Sequence, residues 1–264
     1  MIYYDRFETW EPSFGKVVED LVGKEPVRKL AVLDFEFIED AGDFITHASG
    51  IKEVSTKILD WIHQNEFCVF HGTRLLPNEF SSISTSGLMP LVASQREERL
   101  RRILSQHRDW KNCEGDLSNV IEKIGPGKKV GAREGQIHFS LSRSGLVNGF
   151  DHYLAYGSEF DQRVSQVLFG NDTGLELLRS SKSAYIVHTK ITGEDLVAGA
   201  HPFMSYEDVI GMGEVPGLGS TFLNAWAFKK SRPDCELDRL RTDCCMMLKR
   251  YVLPEDVVSL EKIG

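Results

Sequence analysis

The feature that most constrains the fold is the spacing of apolar residues along the chain. In the N-terminal part they recur at helical intervals, over residues 14–26 and again over residues 50–65. A short apolar run, FCVF, follows at residues 67–70, and most later runs alternate as strands do. Because helices come first and short strands dominate after residue 130, the chain predicts an α+β fold rather than alternating α/β units.

Capping and turn residues divide the chain further. Asn78 and Gly87 enclose the segment NEFSSISTSGL, which predicts a short helix between an N-cap and a left-handed glycine. Two more helices are predicted over residues 95–107 and 149–170, the second interrupted at Gly157. The predicted strands are residues 67–70, 136–142, 183–191, 221–228 and 243–252.

Segments rich in glycine and proline connect these elements. Residues 123–135 predict a loop, and residues 201–220 predict a long excursion from the core. Pro254 predicts a short turn or helix that closes the last element. From these patterns we predict two parts, an N-terminal helical region at residues 1–65 and a main domain at residues 66–264.

Composition limits the class of protein. The chain has 264 residues, of which 41% are hydrophobic and 27% charged, as in ordinary globular proteins. No apolar run approaches the roughly 20 residues that span a bilayer, and the start lacks the regions of a signal peptide, so we expect a cytoplasmic protein without membrane contact. The five cysteines are odd in number and form no CxxC pair, so we expect reduced thiols and no metal site.

Charge is unevenly distributed. The net charge of -8 argues against a protein that coats nucleic acid by bulk electrostatics. Residues 96–133 nevertheless contain ten Lys or Arg against six Asp or Glu. We interpret this stretch as a solvated helix face, which is the usual role of mixed charge runs. The alternative is a local nucleic-acid contact that includes His107 and Trp110.

A histidine and a glycine directly follow the apolar run FCVF. A strand that ends there places the imidazole of His71 at the edge of the sheet, beside Gly72, whose backbone a planar ligand can approach closely. The His71 ring can then donate a hydrogen bond to a sugar hydroxyl, and the backbone of Gly72 can bind a carboxamide. In isolation, this dipeptide would indicate only a surface histidine beside a turn.

The dipeptide is accompanied by further motifs in the same order along the chain. These are HGTR at residues 71–74, Ile83 and Gly87-Leu88 in the short helix, IHFS at residues 137–140, and tyrosines 153 and 156. Together they resemble the ADP-ribosyltransferase superfamily, which includes poly(ADP-ribose) polymerases, diphtheria-toxin-like enzymes and RNA 2'-phosphotransferases. The resemblance covers roughly residues 67–160 and implies a split antiparallel β-sheet core, with the N-terminal helices as an addition.

The resemblance also implies roles for individual residues. NAD would be the substrate, and no metal would be needed. The residues that would bind NAD are His71, Gly72, Thr73 and Arg74, with Ser140 supporting the cleft and Tyr153 and Tyr156 clamping the nicotinamide. Arg74 would suit the pyrophosphate as a bidentate donor. Tyr156 is also counted among the catalytic residues.

The family's late glutamate, which stabilises the cation formed as nicotinamide leaves, has no obvious equivalent. At the corresponding place in TDCCMMLKRYVLPEDVV stands Asp243, which is one methylene shorter. Glu159, three residues after Tyr156, offers another carboxylate. Glu214 and Glu236 are less well placed. A catalytic carboxylate is therefore expected, at Asp243 or Glu159.

Three alternatives remain open. Arg133 and His138 resemble the Arg and His with which RNA 2'-phosphotransferases hold a phosphate. A catalytically silent NAD- or ADP-ribose-binding module would keep His71 and the tyrosines without a working carboxylate. A simple interaction protein would need none of these residues in one cleft.

The acceptor of ADP-ribose is open as well, since a protein side chain, RNA or DNA would each fit the chemistry. The superfamily includes bacterial toxins and phage-defence effectors, for which an inhibitory antitoxin would be a partner.

Overall fold

The structure is a computed structural model, and it describes residues 1–49, 51–125, 135–170, 172–211, 217–239 and 244–264. The chain divides into two compact units. The first comprises Met1–Val69, Ser140–Gly149 and Lys190–Met247, and the second comprises Phe70–Phe139, Phe150–Thr189 and Leu248–Gly264. In the described ranges, no helix is both long enough and apolar enough to cross a membrane.

Six strands form one sheet within the described residues. They are β1 (Ile2–Tyr3), β2 (Glu66–Leu75), β3 (Ile137–Ser140), β4 (Ser183–Thr192), β5 (Cys245–Leu248) and β6 (Val257–Ile263). The strand order is β5-β3-β2-β4-β6, with β1 paired to β2 in parallel. Strands β4 and β6 pair antiparallel, with Ile186 opposite Glu261. The two strands that carry the HGTR and IHFS motifs, β2 and β3, are therefore neighbours.

Helices make up most of the remaining described chain, so the predicted α+β class is confirmed. They are α1 (Glu11–Val22), α2 (Lys24–Leu30), α3 (Ile38–Ser49), α4 (Ile51–His63), α5 (Glu79–Ser86), α6 (Arg96–Leu104), α7 (Trp110–Cys113), α8 (Leu117–Ile124), α9 (Arg143–Gly149), α10 (His152–Tyr156), α11 (Glu159–Phe169), α12 (Thr173–Ser180), α13 (Gly193–Ala200), α14 (Tyr206–Gly211) and α15 (Gly217–Ser231). Short 3-10 turns lie at Phe7–Thr9, Ala93–Gln95, Glu114–Asp116, Leu237–Arg239 and Pro254–Asp256.

Several predicted elements are confirmed where the sequence marks their ends. The helix predicted over residues 50–65 is α4, and the helix between Asn78 and Gly87 is α5. Gly87 has a φ of 72°, and a Cβ there would lie 1.9 Å from the carbonyl oxygen of Val252, so this position requires glycine. The predicted interruption at Gly157 separates α10 from α11 at a φ of 88°.

Other predicted boundaries and elements are wrong. Strand β2 does not stop at His71 but continues to Leu75. Residues 221–228, predicted as a strand, lie inside α15. This helix is apolar on nearly all sides, as a buried helix is, so the segment has no helical period to detect. After the turn that begins at Pro254, the chain forms β6, which the sequence did not predict.

The core of the first unit is rich in aromatic side chains. Its buried rings are Tyr4, Trp10, Phe14, Trp61, Phe67, Phe222, Trp226 and Phe228. The Phe222 ring lies 5.3 Å from Trp10 and 5.4 Å from Trp61, both edge-to-face. Because helices α1, α3, α4 and α15 pack together here, residues 1–69 group with residues 190–247. The predicted division between residues 65 and 66 remains a prediction.

The second unit has an aliphatic core between helices α6, α8, α11 and α12. Its buried members are Ala93, Leu100, Ile103, Leu104, Trp110, Leu117, Val120, Ile121, Ile124, Phe160, Val164, Leu175 and Leu178. Helix α6 contributes Leu100, Ile103 and Leu104. This packing places the first turn of α6 beside the start of α11, where the candidate site is found.

Candidate functional site

A cavity of about 280 Å³ lies within the second unit. Its walls come from β2, β3, the segment after α5, helix α6 and the α10–α11 turn. Five of the side chains predicted as site residues line it, together with the backbone of Gly72: His71, Thr73, His138, Tyr153 and Glu159. The cavity is therefore the candidate functional site.

Strand β2 supplies the base of the cavity. Successive side chains of a strand point to opposite faces, so His71 and Thr73 share one face and both are half-buried. Gly72, between them, is buried and borders the cavity with its backbone. Although the strand does not end at this point, it places the predicted residues along the cavity.

The hydrogen bond of His71 determines its tautomer. Its Nδ1 lies 2.7 Å from the carbonyl oxygen of His138, and a carbonyl only accepts, so Nδ1 donates. Burial lowers the pKa of His71, which keeps the ring neutral at pH 7. Nε2 is then an acceptor and can accept a hydrogen bond from a hydroxyl. The expectation that the ring donates to a sugar is therefore corrected.

A tyrosine and a glutamate meet across the turn at Gly157. The Tyr153 hydroxyl donates to Oε1 of Glu159 at 3.2 Å, and Nε2 of His152 lies 3.2 Å from the same oxygen. The Tyr153 ring also stacks on His138, at 6.4 Å between centroids. Glu159 keeps 35% of its side chain exposed and lines the cavity. A carboxylate and an aromatic ring thus share one wall.

Arg74, which was predicted to bind phosphate, serves another purpose in the described residues. Its guanidinium donates to the carbonyl of Leu154 at 2.7 Å and to that of Arg179 at 2.5 Å. It also donates to the carbonyl of Lys182. Arg74 does not line the cavity, and its donors join the ends of helices α10 and α12. The structure therefore gives it a scaffolding role.

Ser140 and Tyr156 also lie outside the cavity lining. Ser140 is buried, and its hydroxyl donates to the carbonyl of Ser142 at 2.8 Å, which shapes the chain after β3. Tyr156 packs against the aliphatic core of the second unit. The structure does not bring either residue to the cavity, where the resemblance had placed them.

Other predicted residues cannot be placed. Asp243, Arg133 and Glu214 lie outside the described residues. Glu236, the remaining alternative, is exposed and belongs to the first unit. Among the candidate carboxylates, Glu159 is the one that the described structure places in the cavity.

A buried ionic cluster was missed by the sequence analysis. The carboxylate of Asp161 has no exposed surface, and Arg96, Arg99 and Lys182 surround it. Oδ2 of Asp161 lies 2.5 Å from Nη2 of Arg96 and 2.7 Å from Nη1 of Arg99. Arg99 also pairs with Glu79 at 2.5 Å. We call these five residues the Asp161 cluster.

The Asp161 cluster overturns part of the interpretation of the basic stretch. Arg96 and Arg99 line the cavity and are largely covered, rather than forming a solvated face. A signal was present in the sequence, because Arg96 and Arg99 share the helical face of Leu100 and Ile103. A guanidinium on the apolar face of a helix becomes covered and needs a partner of opposite charge. Here that partner is Asp161.

Two pKa values in the cluster are shifted strongly, by burial and by neighbouring charges. Burial by itself raises the pKa of Asp161, but attraction from Arg96, Lys182 and Arg99 outweighs it and holds this pKa well below its ordinary value. Burial lowers the pKa of Lys182 to about 8, and attraction to Asp161 offsets only part of that effect. Asp161 is therefore ionised at any pH near neutrality.

His107 and Trp110, which the alternative interpretation assigned to nucleic-acid binding, are packed inside the second unit. Trp110 is buried in the aliphatic core. The His107 ring stacks on Phe169 at 3.8 Å, and its Nε2 lies 2.7 Å from the Thr173 hydroxyl. Neither ring is presented for stacking on a base.

The remaining chemistry of the described residues is limited. No group of three or more His, Cys, Asp or Glu among them could hold a metal ion. The five cysteines are all free. Burial raises the pKa of Cys244 to about 12, so this thiol stays protonated and is a poor nucleophile.

Comparison of the chain with protein-family models, curated proteins and solved structures found no match.

Proposed function

We propose that this protein is an NAD-dependent ADP-ribosyltransferase that cleaves the nicotinamide–ribose bond and passes ADP-ribose to a macromolecular acceptor. The observation that carries the proposal is the convergence of His71, Gly72, Tyr153 and Glu159 on one cavity of the second unit. His71, Gly72 and Tyr153 belong to two motifs of the resemblance that lie about 80 positions apart in the sequence. Glu159 is one of the two carboxylates expected to be catalytic.

The fold supports the proposal at a coarser level. The resemblance assigns residues of both HGTR and IHFS to the NAD cleft, and two adjacent strands can supply such a cleft. Strands β2 and β3 are adjacent, and the carbonyl of His138 receives the hydrogen bond of His71. An ADP-ribosyltransferase-like split sheet is therefore part of what we propose.

The proposed reaction separates charge in a defined way. The bond between C1' of the ribose and the nicotinamide nitrogen breaks, and its electron pair leaves with nicotinamide, which becomes neutral. C1' takes on oxocarbenium character until a lone pair of the acceptor bonds to it and the acceptor proton is released. A carboxylate close to the ribose lowers the energy of this cation, and Glu159 is the described residue suited to that role.

The other walls suit the binding of the substrate. Nε2 of His71 accepts from a ribose hydroxyl, the backbone of Gly72 binds a carboxamide, and the Tyr153 ring covers the nicotinamide. The cavity of about 280 Å³ is close to the lower end of the range for small-molecule sites, roughly 300 to 1,000 Å³. It therefore suits the nicotinamide–ribose half of NAD rather than the whole dinucleotide.

A second candidate, an RNA 2'-phosphotransferase, is favoured by one observation. His138 lines the cavity together with Arg96, so basic side chains are available for a phosphate. Arg133, the other residue of that resemblance, lies outside the described residues. A silent binding module would use the same walls without turnover.

The test is to incubate the purified protein with NAD labelled on adenine and with a cell lysate, and then to separate protein from nucleic acid. We expect free nicotinamide and label in one of the two fractions. The fraction that carries the label identifies the acceptor class. A parallel reaction with 2'-phosphorylated RNA tests the second candidate through release of ADP-ribose 1'',2''-cyclic phosphate.

Variants then assign the activity to the cavity. Glu159→Gln removes the negative charge with little change in volume, and we expect kcat to fall by about 100-fold or more. Glu176→Gln, on the exposed surface of α12, is the matched control and should retain full activity. Wild-type activity in Glu159→Gln would remove Glu159 from the mechanism. NAD binding without nicotinamide release in the wild type would support the silent module instead.

A further inference from the structure

Within the described residues, the hydrogen bonds of the Arg96 guanidinium lie on its Nε and Nη2 edge. Its Nε and Nη2 face the two oxygens of Asp161 at 3.1 and 2.5 Å, and Nη2 also donates to Ser158 at 3.2 Å. A side-on pair of this kind uses the Nε and Nη2 edge of the fork. Among the described residues, no partner is found for Nη1, which carries two N–H donors.

Arg96 borders the cavity while its neighbours are committed elsewhere. Its side chain is 23% exposed, and it belongs to the cavity lining. Arg99 uses its donors on Asp161, Glu79 and the Arg74 carbonyl. Lys182 has no exposed side-chain surface. Arg96 is therefore the cation of the cluster that lines the cavity and has a nitrogen, Nη1, without a hydrogen-bond partner among the described residues.

The charge of the Asp161 cluster favours an anion at this place. Three cations, Arg96, Arg99 and Lys182, face two anions, Asp161 and Glu79, which leaves one net positive charge. Since the two carboxylates are already shared among the cations, the excess is not neutralised inside the described cluster. A bound phosphate oxygen would satisfy Nη1 and balance the charge.

Gln136 gives a second, independent sign of a polar ligand. Its side chain lines the same cavity, and Oε1 is buried without a hydrogen-bond partner within the described part of the chain. A carbonyl oxygen only accepts hydrogen bonds, so the partner that Oε1 lacks is a donor, such as a ribose hydroxyl or a carboxamide N–H. Buried polar groups normally have partners, so a ligand that supplies one is indicated.

The anionic group of the cavity belongs to a different set of contacts. Glu159 is engaged by Tyr153 and His152 rather than by the Asp161 cluster. The lining therefore offers a cationic group, Arg96, and an anionic group, Glu159, to the same ligand. A nicotinamide mononucleotide unit carries the matching pair of charges, a pyridinium cation and a phosphate.

We propose that Arg96 forms a phosphate subsite, so that the cavity binds the nicotinamide mononucleotide unit of NAD through its phosphate as well as its ring. This inference rests on the proposed function for the identity of the ligand. The phosphate preference itself depends only on Arg96 and the Asp161 cluster. Arg96 is thus a substrate-binding residue, while Asp161 positions it.

The first experiment uses the wild-type protein and calorimetric titration with nicotinamide mononucleotide, nicotinamide riboside and inorganic phosphate. Mononucleotide and riboside differ only in the phosphate. We expect the mononucleotide to bind at least about tenfold more tightly, as one charge-assisted contact provides. Inorganic phosphate should bind weakly and compete with the mononucleotide. Equal affinity for mononucleotide and riboside would overturn the proposal without any variant.

The second experiment assigns the preference to Arg96. In Arg96→Gln, the ratio of the two affinities should fall to near one, while Arg102→Gln, on the exposed face of the same helix, should keep the wild-type ratio. Arg96→Lys retains a positive charge for Asp161 but lacks the second set of N–H donors of a guanidinium. It should therefore also lose most of the preference for mononucleotide over riboside. Circular dichroism and thermal unfolding verify that each variant is folded before titration.

The outcomes separate this inference from the proposed function. Phosphate preference that depends on Arg96, in a protein that never releases nicotinamide, supports the subsite and refutes the transferase. Nicotinamide release that is unchanged in Arg96→Gln, with an unchanged affinity ratio, supports the transferase and refutes the subsite. A folded Arg96→Lys protein with the full wild-type ratio would also overturn the subsite.

Discussion

The two units have interiors of different chemistry. The first contains a cluster of aromatic rings among aliphatic side chains, in which Phe222 contacts Tyr4, Trp10 and Trp61 at centroid distances of 5.3 to 5.4 Å. The second contains an aliphatic core and, beside it, a carboxylate surrounded by three cations. Aromatic rings can pack well in many relative orientations. The hydrogen bonds of the ionic cluster, by contrast, form only when each N–H donor points at its acceptor.

This difference separates residues that stabilise the fold from residues that orient side chains at the cavity. Replacing a buried ion pair by apolar residues of similar volume is often neutral or stabilising, so such a pair is weak evidence for a stability role. The Asp161 cluster nevertheless lies against the cavity and orients Arg96. We infer that the aromatic interior serves the fold, and that the ionic cluster serves the site.

The largest effect is expected from Phe222→Ala in the aromatic interior. The ring is fully buried, so its loss leaves a cavity, and the free energy of unfolding should fall by about 4 kcal/mol. Urea denaturation measures this change, which should be the same in low and high salt. Phe203→Ala, at a ring that is 88% exposed in the same unit, is the control and should change stability little. A loss below about 1 kcal/mol for Phe222→Ala would show that the packing is adaptable.

A somewhat smaller effect is expected from Asp161→Asn. The amide keeps the volume and one acceptor oxygen but removes the charge that faces Arg96, Arg99 and Lys182, so we expect a loss of about 3 kcal/mol. Asp20→Asn, on the exposed face of α1, controls for the chemical change. The same variant should also lose the preference of the cavity for nicotinamide mononucleotide over nicotinamide riboside. Unchanged stability would contradict the role of Asp161 as the centre of the cluster.

Elements of the fold could be predicted where local residues mark their ends. Helix α5 was found because Asn78 and Gly87 enclose it, and the break at Gly157 was visible for the same reason. Helix α15 was not found, because burial on nearly all sides removes the periodicity that distinguishes a helix from a strand. Tertiary surroundings, rather than local preference, decide such a segment.

Likewise, only some residues of the candidate site could be predicted from the sequence. Strand residues His71 and Gly72 were found through a short motif, whereas Arg96 was interpreted as solvated because it is charged. Its partner Asp161 is 65 residues away, and a single sequence gives no sign of that pairing. Only the helical spacing of Arg96 and Arg99 with Leu100 indicated that these arginines are covered.

A pH effect of intermediate size is expected from Lys182. Its pKa is lowered from 10.5 to about 8, so between these values the unfolded chain binds a proton that the folded protein does not. The free energy of unfolding therefore rises with pH in this window. Comparing wild type with Lys182→Met should show a gain for the wild type on the order of 2–3 kcal/mol from pH 8 to 10.5. Parallel pH curves for the two proteins would mean that Lys182 titrates normally.

The smallest effect is expected from an exposed ion pair on the same helix as Arg96. Oε1 of Glu97 lies 3.0 Å from Nη2 of Arg101, and the two side chains are 35% and 44% exposed. Solvent screens such a pair, so Glu97→Gln should cost about 0.5 kcal/mol or less in the free energy of unfolding, even though Glu97 also accepts from Ser118. Urea denaturation gives the free energy of unfolding of Glu97→Gln and of Asp161→Asn. The two values compare an exposed carboxylate with a buried one, both of which pair with arginines of α6. Similar losses in both would show that burial of Asp161 adds nothing, and that the cluster is no more than a set of surface pairs.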